Sequence, residues 1–157
     1  MQTEIGIKPR NSAEVARSLN RLLADEHVLY IKTRNAHWNV EGPDFLTIHR
    51  FFEEQYKQLE EIIDEVAERI RTIGHYAEGT LEGFLKDTHL TEDTRESNDS
   101  LSFMRTLLQD HESIILNLRE HIERYEEEWK DQGTADFATG LMKTHEKMAW
   151  MLRAHLK

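Results

Sequence analysis

Residues 44–74, with the sequence DFLTIHRFFEEQYKQLEEIIDEVAERIRTIG, decide the fold of this chain. Apolar side chains recur through the stretch in alternating steps of four and three residues, the pattern of one face of an amphipathic α-helix. They are Phe52, Tyr56, Leu59, Ile63, Val66, Ile70 and Ile73. Because Gly74 can adopt the left-handed conformation that closes such a helix, the pattern predicts a helix from Asp44 to Ile73.

A second pattern lies on one flank of the same helix. At about 100° per residue, four side chains that can bind metal fall within an arc of roughly 100° beside the apolar face. They are His49, Glu53, Asp64 and Glu68. A rise of about 1.5 Å per residue places Glu68 roughly 30 Å from His49, whereas the ligands of one metal ion lie within a few ångströms of each other. One chain therefore cannot close a site with all four.

The spacing of these residues indicates a dimer. The pair His49 and Glu68 and the pair Glu53 and Asp64 share one midpoint, next to Leu59. Two copies of the helix, antiparallel across a two-fold axis at this midpoint, would bring the histidine end of each to the acidic end of the other, as an isologous interface requires. The alternative is that the acids only form the solvated flank of an amphipathic helix.

Another long helical pattern precedes this one. It begins at Asn11 or Ser12, where Asn11 and Glu14 resemble a capping box, and continues to about Asn39. Gly42-Pro43-Asp44 then interrupts the chain and starts the next helix, since proline is tolerated in a first turn but not in a helix interior. The two helices are therefore expected to form a hairpin.

A second hairpin follows a long connection over residues 75–97, in which residues 80–86 predict a short helix. The third long helix begins near residues 98–99, and Gly133-Thr134 ends it and caps the fourth. No segment predicts a β-strand. The expected fold is all-α: a ferritin-like four-helix bundle with a short extra helix in the long connection between its second and third helices.

Composition limits the classes of protein to consider. The 157 residues include no cysteine and are 38% hydrophobic, which suits a single domain over residues 1–157 and excludes a disulfide scaffold. No apolar run approaches the roughly 20 residues that span a bilayer, and the start lacks a signal core, so we expect a cytoplasmic protein without membrane contact. The formal charge of −10 disfavours non-specific binding of nucleic acid or anionic lipid.

An ordinary di-iron bundle is disfavoured. Such bundles carry a Glu-x-x-His motif on each of two helices and hold both metals inside one chain. None of the nine histidines here has a glutamate three positions before it. His111 and His145 lie in the apolar faces of the third and fourth helices, where a histidine is more often a hydrogen-bonded core residue than a ligand, and both are interpreted as structural.

The stretch from Lys32 to Gly74, KTRNAHWNVEGPDFLTIHRFFEEQYKQLEEIIDEVAERIRTIG, resembles the Dps family, the starved-cell mini-ferritins, and the resemblance covers essentially the whole chain. The family pattern of two histidines followed by acids at set offsets is matched by five residues. They are His37, His49, Glu53, Asp64 and Glu68, of which the last two lie in the phrase DEVAER. Glu53 stands where the family commonly has Asp, so direct ligation by Glu53 or a bridge through water both stay open.

The resemblance implies a hollow shell of twelve identical subunits, with a ferroxidase site shared across each two-fold dimer. His37 and His49 would come from one subunit and Asp64 and Glu68 from its mate, and these four would be catalytic. Fe²⁺ would be oxidised there, with hydrogen peroxide preferred over O₂, and Fe³⁺ stored as a mineral, which protects against oxidative damage. Carboxylates with imidazoles and no thiolate suit iron, although Zn²⁺ or Mn²⁺ could compete.

Three residues near this site have candidate secondary roles. Trp38 could quench a stray oxidising equivalent or pack at the dimer interface. Glu54 and Glu61 are candidate carboxylates for mineral nucleation, with the simpler alternative that they are exposed acids.

Two acids late in the chain are a further candidate feature. Asp131 and Asp136 follow the acidic run at residues 126–128 and are expected at a solvated helix end. In a symmetric shell they could instead ring a pore that attracts cations.

Two other function classes stay open from the sequence. The first is a DNA-condensing, nucleoid-associated protein of the same family, which the charge disfavours because twelve copies would carry on the order of −120 without a basic tail. The second is a helical assembly that binds no metal, in which the acids of residues 44–74 only confer solubility.

Overall fold

The structure, a computed structural model, describes residues 3–92 and 97–157. In chain order its helices are α1 (Pro9–Asn39), α2 (Phe45–Thr72), α3 (Leu81–Asp87), α4 (Ser100–Glu123) and α5 (Gln132–Ala154), with a π-helical turn, Arg124–Glu128, after α4. Helix α1 packs along α2 and α4 along α5, while α3 lies against α1. The expected all-α four-helix bundle is confirmed, and the described ranges contain no β-strand. Residues 93–96 of the predicted connection lie outside the described residues.

Helix α2 buries the apolar face that its sequence predicts. The side chains of Phe52, Leu59 and Val66 are fully buried in the core. Tyr56 and Ile63 lie at the edge of this face and are half-buried. None of the helices in the described ranges is long and apolar enough to cross a membrane.

The end of α2 is a Schellman motif. Gly74 has a φ of +91°, and its N–H donates to the carbonyl of Arg71 at 3.0 Å. The next N–H, of His75, donates to the carbonyl of Ile70 at 3.1 Å. The pair of bonds satisfies two carbonyls that the helix leaves free, and the left-handed conformation expected at Gly74 is confirmed.

The predicted start of α1 is wrong. The helix begins at Pro9, because proline presets the helical φ and lacks the N–H that a first turn would leave unsatisfied. Asn11 and Glu14 form no capping box. The Asn11 amide instead donates to the carbonyl of Trp129 at 2.9 Å, and Glu14 pairs with Arg17.

The predicted junction between the last two long helices also needs correction. Helix α4 ends at Glu123 and passes into the π-helical turn. Asp131, and not Gly133 or Thr134, caps α5: its Oδ1 accepts from the N–H of Thr134 at 3.0 Å and its Oδ2 from the Thr134 hydroxyl at 2.6 Å. An aspartate accepts these donors better than a glycine can, since glycine has no side-chain oxygen.

The short helix in the long connection is confirmed. Thr80 is the N-cap of α3, and its hydroxyl accepts a hydrogen bond from the N–H of Gly83 at 3.1 Å. The chain after α3 is attached to α1 through the buried carboxylate of Asp25. This carboxylate accepts hydrogen bonds from the Thr88 hydroxyl at 2.7 Å and from the N–H of His89 at 2.6 Å.

A chain of three polar side chains lies at the centre of the bundle. His145 Nε2 contacts Glu26 Oε1 at 2.8 Å, and His145 Nδ1 contacts His111 Nδ1 at 2.9 Å, with all three residues fully buried. The interpretation of both histidines as hydrogen-bonded core residues is confirmed. Burial lowers the pKa of His111 well below its ordinary value, and the neighbouring His145 lowers it further, so His111 is neutral in the folded chain.

Replacing Asp25 with alanine should lower the free energy of unfolding by about 2–3 kcal/mol, because the donors of Thr88 and His89 would lose a charged acceptor in a buried site. Urea unfolding at one fixed protein concentration measures this. The matched control is Asp87→Ala, at an exposed position one residue before Thr88, which should change stability by less than about 0.5 kcal/mol. Equal effects of both substitutions would contradict the assignment of Asp25 as the attachment point.

Acidification should destabilise the fold through His111. Because the folded chain disfavours the protonated ring, stability is fully present above the pKa of the unfolded chain, 6.5, and is lost as the pH falls below it. The expected slope for this single proton is roughly 1.4 kcal/mol per pH unit. Unfolding free energies between pH 7.5 and 5 should show a smaller slope in His111→Gln and an unchanged slope in His155→Gln, at an exposed histidine. An unchanged slope in His111→Gln would contradict the prediction.

Candidate metal centre

Two histidines meet where α1 ends and α2 begins. His37 lies in the last turn of α1 and His49 in the first turns of α2. Their rings stack with centroids 3.8 Å apart and planes inclined by 20°. His37 is buried, whereas His49 is half-buried, so the pair lies at the surface of the bundle and not in its core.

Each histidine of the pair is bonded to the main chain of the other. His37 Nδ1 lies 2.7 Å from the carbonyl oxygen of His49, and His49 Nδ1 lies 2.7 Å from the carbonyl oxygen of His37. A carbonyl only accepts, so both Nδ1 atoms carry a proton, and Nε2 is the nitrogen of each ring that can bind a metal ion. In metal-binding histidines, a hydrogen bond from the ring nitrogen that does not bind the metal fixes the orientation of the ring.

The turn between the helices holds the two histidines in register. Gly42 has a φ of +130°, a conformation that L side chains rarely adopt. The N–H of Glu41 donates to the carbonyl of Asn98 at 2.9 Å, and the hydroxyl of Ser100 donates to Asp44 at 2.7 Å. The turn is thereby attached to the start of α4, which restricts the relative motion of α1 and α2 at the histidine pair.

Glu53 lies one turn beyond His49 on the same flank of α2. Its pKa is lowered, first because Lys57 donates a hydrogen bond to it at 2.6 Å and adds a positive charge, and also because His37 and His49 lie nearby. A carboxylate that stays ionised next to two free imidazole nitrogens can take part in binding a divalent cation. Lys57 is the cation that occupies this carboxylate in the structure.

The remaining two predicted ligands lie far along α2. Asp64 and Glu68 are exposed, and Glu68 is nineteen residues from His49, about 28 Å at the rise of an α-helix. Within residues 3–92 and 97–157, no group of three or more histidine, aspartate and glutamate side chains is close enough to hold a metal ion. The structure thus brings His37 and His49 together, places Glu53 near them, and leaves the other two acids apart.

The residues with candidate secondary roles near the site are all on the surface. The Trp38 side chain is 62% exposed, and its ring lies 4.9 Å from Cζ of Arg34. Glu54 and Glu61 are exposed on α2.

Asp131 and Asp136 have different surroundings. Asp136 is exposed, in keeping with an acid at a solvated helix end. Asp131 is 3% exposed, so the expectation of a solvated acid is wrong for this residue. Its carboxylate is engaged in the α5 cap and in an ion pair with Arg69 at 3.1 Å, which leaves little of it for cations in a pore.

The sequence pattern does not indicate that Tyr56 contacts the histidine pair or that Arg34 lies against Tyr56. The ring of Tyr56 meets that of His37 edge-on at 5.2 Å, and Arg34 lies with its Cζ 5.0 Å from the Tyr56 ring centre. The sequence pattern places Tyr56 only on the apolar face of α2. Its position seven residues after His49, two helical turns on the same side, was the available signal.

Comparison with known proteins supplies the family. Residues 16–157 match the ferritin-like domain family. A DNA protection during starvation protein of Helicobacter pylori is 36% identical over 138 residues, 88% of this chain and 95% of that protein. An uncharacterised low temperature-induced protein of Nostoc is 45% identical over 153 residues, 98% of this chain and 86% of that protein.

Solved structures agree with these relatives. A Dps protein of Vibrio cholerae, described as a member of a superfamily of ferritin-like diiron-carboxylate proteins, superposes with a TM-score of 0.93 at 36% identity, covering 99% of this chain and 97% of that one. A Dps protein of Bacillus brevis gives a TM-score of 0.89 at 34% identity, covering 96% of this chain and all of that one. The chain therefore belongs to the Dps family of ferritin-like proteins.

Proposed function

We propose that the protein is a ferroxidase and iron store that oxidises Fe²⁺ at sites shared between two subunits. In each site His37 and His49 of one chain face Asp64 and Glu68 of its mate across a two-fold axis, with Glu53 close enough to bind directly or through water. Each dimer contains two such sites, because an isologous interface repeats every contact.

One observation supports this proposal: the two histidines lie near one end of α2 and the two acids near its other end, too far apart for the ligands of one metal ion. The paired Nε2 lone pairs of His37 and His49 are fixed by the reciprocal hydrogen bonds at one end of α2. The carboxylates of Asp64 and Glu68 lie exposed near its other end. An antiparallel second copy of α2 is the arrangement that makes one site from the two halves without bending either helix.

The chemistry follows from the ligands. Two imidazoles and two or three carboxylates bind Fe²⁺ and favour Fe³⁺ after oxidation, because negatively charged oxygen ligands stabilise the higher charge. Two Fe²⁺ ions each give one electron to hydrogen peroxide, which takes up two protons and becomes two water molecules. No hydroxyl radical is released when both electrons are transferred. The same proposal places Fe³⁺ as a mineral inside a cytoplasmic shell of twelve subunits, with Glu54 and Glu61 as nucleation carboxylates.

DNA condensation is not the function we propose. The formal charge of −10 per chain repels phosphate, and a shell of twelve copies would carry on the order of −120. Residues 1–10 contain one lysine and one arginine, so this segment is not the lysine-rich kind that binds phosphate non-specifically.

Two inactive variants should complement each other. His49→Gln removes a ligand from the histidine half and Glu68→Gln from the acidic half, so each variant alone should lose ferroxidase activity. In a mixed dimer one site combines the two intact halves. After dissociation, mixing and reassembly in equal amounts, peroxide-driven Fe²⁺ oxidation should return to about a quarter of the wild-type rate, since half of randomly formed dimers are mixed and each has one intact site.

The control is a mixture of His49→Gln with His37→Gln. Both substitutions damage the histidine half, so no pairing of these chains gives an intact site and activity should stay at the level of the separate variants. Native mass spectrometry confirms that subunits have exchanged in both mixtures. If the first mixture exchanges subunits and gains no activity, the shared site is wrong.

A further inference from the structure

A surface cavity of about 420 Å³ lies between α1 and the chain that follows α2, on residues that the proposed iron chemistry does not use. We refer to it as the Tyr76 pocket. Its volume lies within the range of small-molecule sites, roughly 300–1,000 Å³. The polar and aromatic side chains that line it are Arg17, Asn20, Arg21, Tyr76, Glu78 and Asp87.

The main chain of the Tyr76 pocket is fastened to α1 by Asn20. The Asn20 amide donates to the carbonyl of Tyr76 at 3.3 Å, and its Oδ1 accepts from the N–H of Glu78 at 2.8 Å. The same amide donates to the carbonyl of Ala16 within α1 at 3.1 Å. The pocket is therefore held in shape before any ligand enters, which lowers the entropic cost of binding.

Two arginines of α1 line one side of the pocket. Arg17 and Arg21 are both exposed and lie one helical turn apart, where like charges destabilise a helix. Arg17 pairs with Glu14 at 3.0 Å. Within the part of the chain that the structure describes, Arg21 has neither an ion-pair nor a hydrogen-bond partner. A bound phosphate would relieve the repulsion, because guanidinium groups bind phosphate oxygens through paired N–H donors.

The ring of Tyr76 provides an aromatic surface in the same pocket. Its side chain is 84% exposed, although its main chain is fixed by Asn20. The guanidinium carbon of Arg71 lies 4.5 Å from the ring centre, and Arg71 donates to the carbonyl of His75 at 2.8 Å. Arg71 thus covers one face of the ring. The exposed remainder is suited to stacking with a flat aromatic ligand.

The two acids of the pocket differ in what they can bind. Glu78 Oε1 accepts hydrogen bonds from the hydroxyl and the N–H of Thr80, both at 2.8 Å, so this carboxylate is occupied within its own loop. Asp87 is exposed at the end of α3. Its carboxylate disfavours a ligand that is only an anion, but it can accept hydrogen bonds from sugar hydroxyls, as acidic residues do in dinucleotide-binding folds.

We propose that the Tyr76 pocket binds a nucleoside monophosphate. The phosphate lies between Arg17 and Arg21, the base stacks on the ring of Tyr76, and the ribose hydroxyls face Asp87. Each of the three kinds of side chain in the pocket then contacts the part of the ligand that matches its chemistry. The proposal concerns a separate surface from the histidine pair and does not rest on the proposed iron chemistry.

The test is isothermal titration calorimetry of adenosine monophosphate into the assembled protein. The buffer contains a chelator, so that no metal ion bridges the phosphate to the acids of α2. The wild type should bind the nucleotide with one equivalent per chain. Inorganic phosphate and adenosine should each bind at least ~10-fold more weakly, because the first lacks the base and the second lacks the charge-assisted hydrogen bonds to arginine.

Substitutions locate the binding in the pocket. Arg21→Gln and Tyr76→Ala should each weaken binding by ~10-fold or more, whereas Tyr76→Phe keeps the ring and should bind like the wild type. The matched control is Arg105→Gln, which removes the same charge from an exposed position on α4. It should change affinity by less than about twofold at physiological salt, where distant surface charges are screened. Native mass spectrometry checks that each variant is assembled.

Three results would overturn the proposal. The wild type could bind no adenosine monophosphate, Arg21→Gln could weaken binding no more than Arg105→Gln does, or inorganic phosphate could bind as tightly as the nucleotide. A crystal of the wild type soaked in adenosine monophosphate gives a measurement that needs no variant. Density for a base stacked on the ring of Tyr76 would support the proposal, and a nucleotide bound only elsewhere would contradict it.

Discussion

Helix α2 is stiff, and its stiffness keeps the two histidines apart from the two distant acids. A helix of 28 residues spans about 42 Å, and its hydrogen bonds prevent it from folding back on itself. A metal ion, in contrast, needs its ligands within a few ångströms. The histidines lie near one end of α2 and two acids near the other, so we propose that the chain uses both only with a partner, which would link metal binding to assembly.

The inside of the bundle has a different role. Where an ordinary di-iron bundle would hold its metals, this chain has a hydrogen-bonded series of Glu26, His145 and His111, all fully buried. The series connects three of the four long helices and keeps His111 neutral. We therefore assign the buried series to stability and the proposed chemistry to the surface of α2, where a second subunit could reach it.

The sequence predicts the regular parts well because they depend on local patterns. Apolar spacing in α2, the Gly74 closure and the short helix over residues 80–86 are each decided by a few neighbouring residues, and all three are confirmed. The failures involve contacts between distant residues. The Asn11 side chain donates a hydrogen bond to the carbonyl of Trp129 instead of capping its own helix. Asp131 is buried because it caps α5 and pairs with Arg69, and no local pattern indicates these contacts.

The sequence predicts some features of the candidate site, whereas others depend on how the helices pack. The spacing along α2 indicates that His49 and Glu53 share one flank of the helix, and the family resemblance adds His37 to them. The reciprocal bonds to the two main-chain carbonyls could not be predicted, because they depend on how the turn at residues 40–44 sets α1 against α2. The contact of Tyr56 with His37 depends on the same packing of one helix on the other.

Diffraction from crystals soaked anaerobically in Fe²⁺, recorded on both sides of the iron absorption edge, tests the shared site most directly. We expect an anomalous peak between two chains, with His37 and His49 of one subunit and Glu68 of its mate within coordination distance, about 2.0–2.3 Å. An iron peak coordinated by residues of one chain alone, such as Glu26 and His145 in the bundle core, would contradict it.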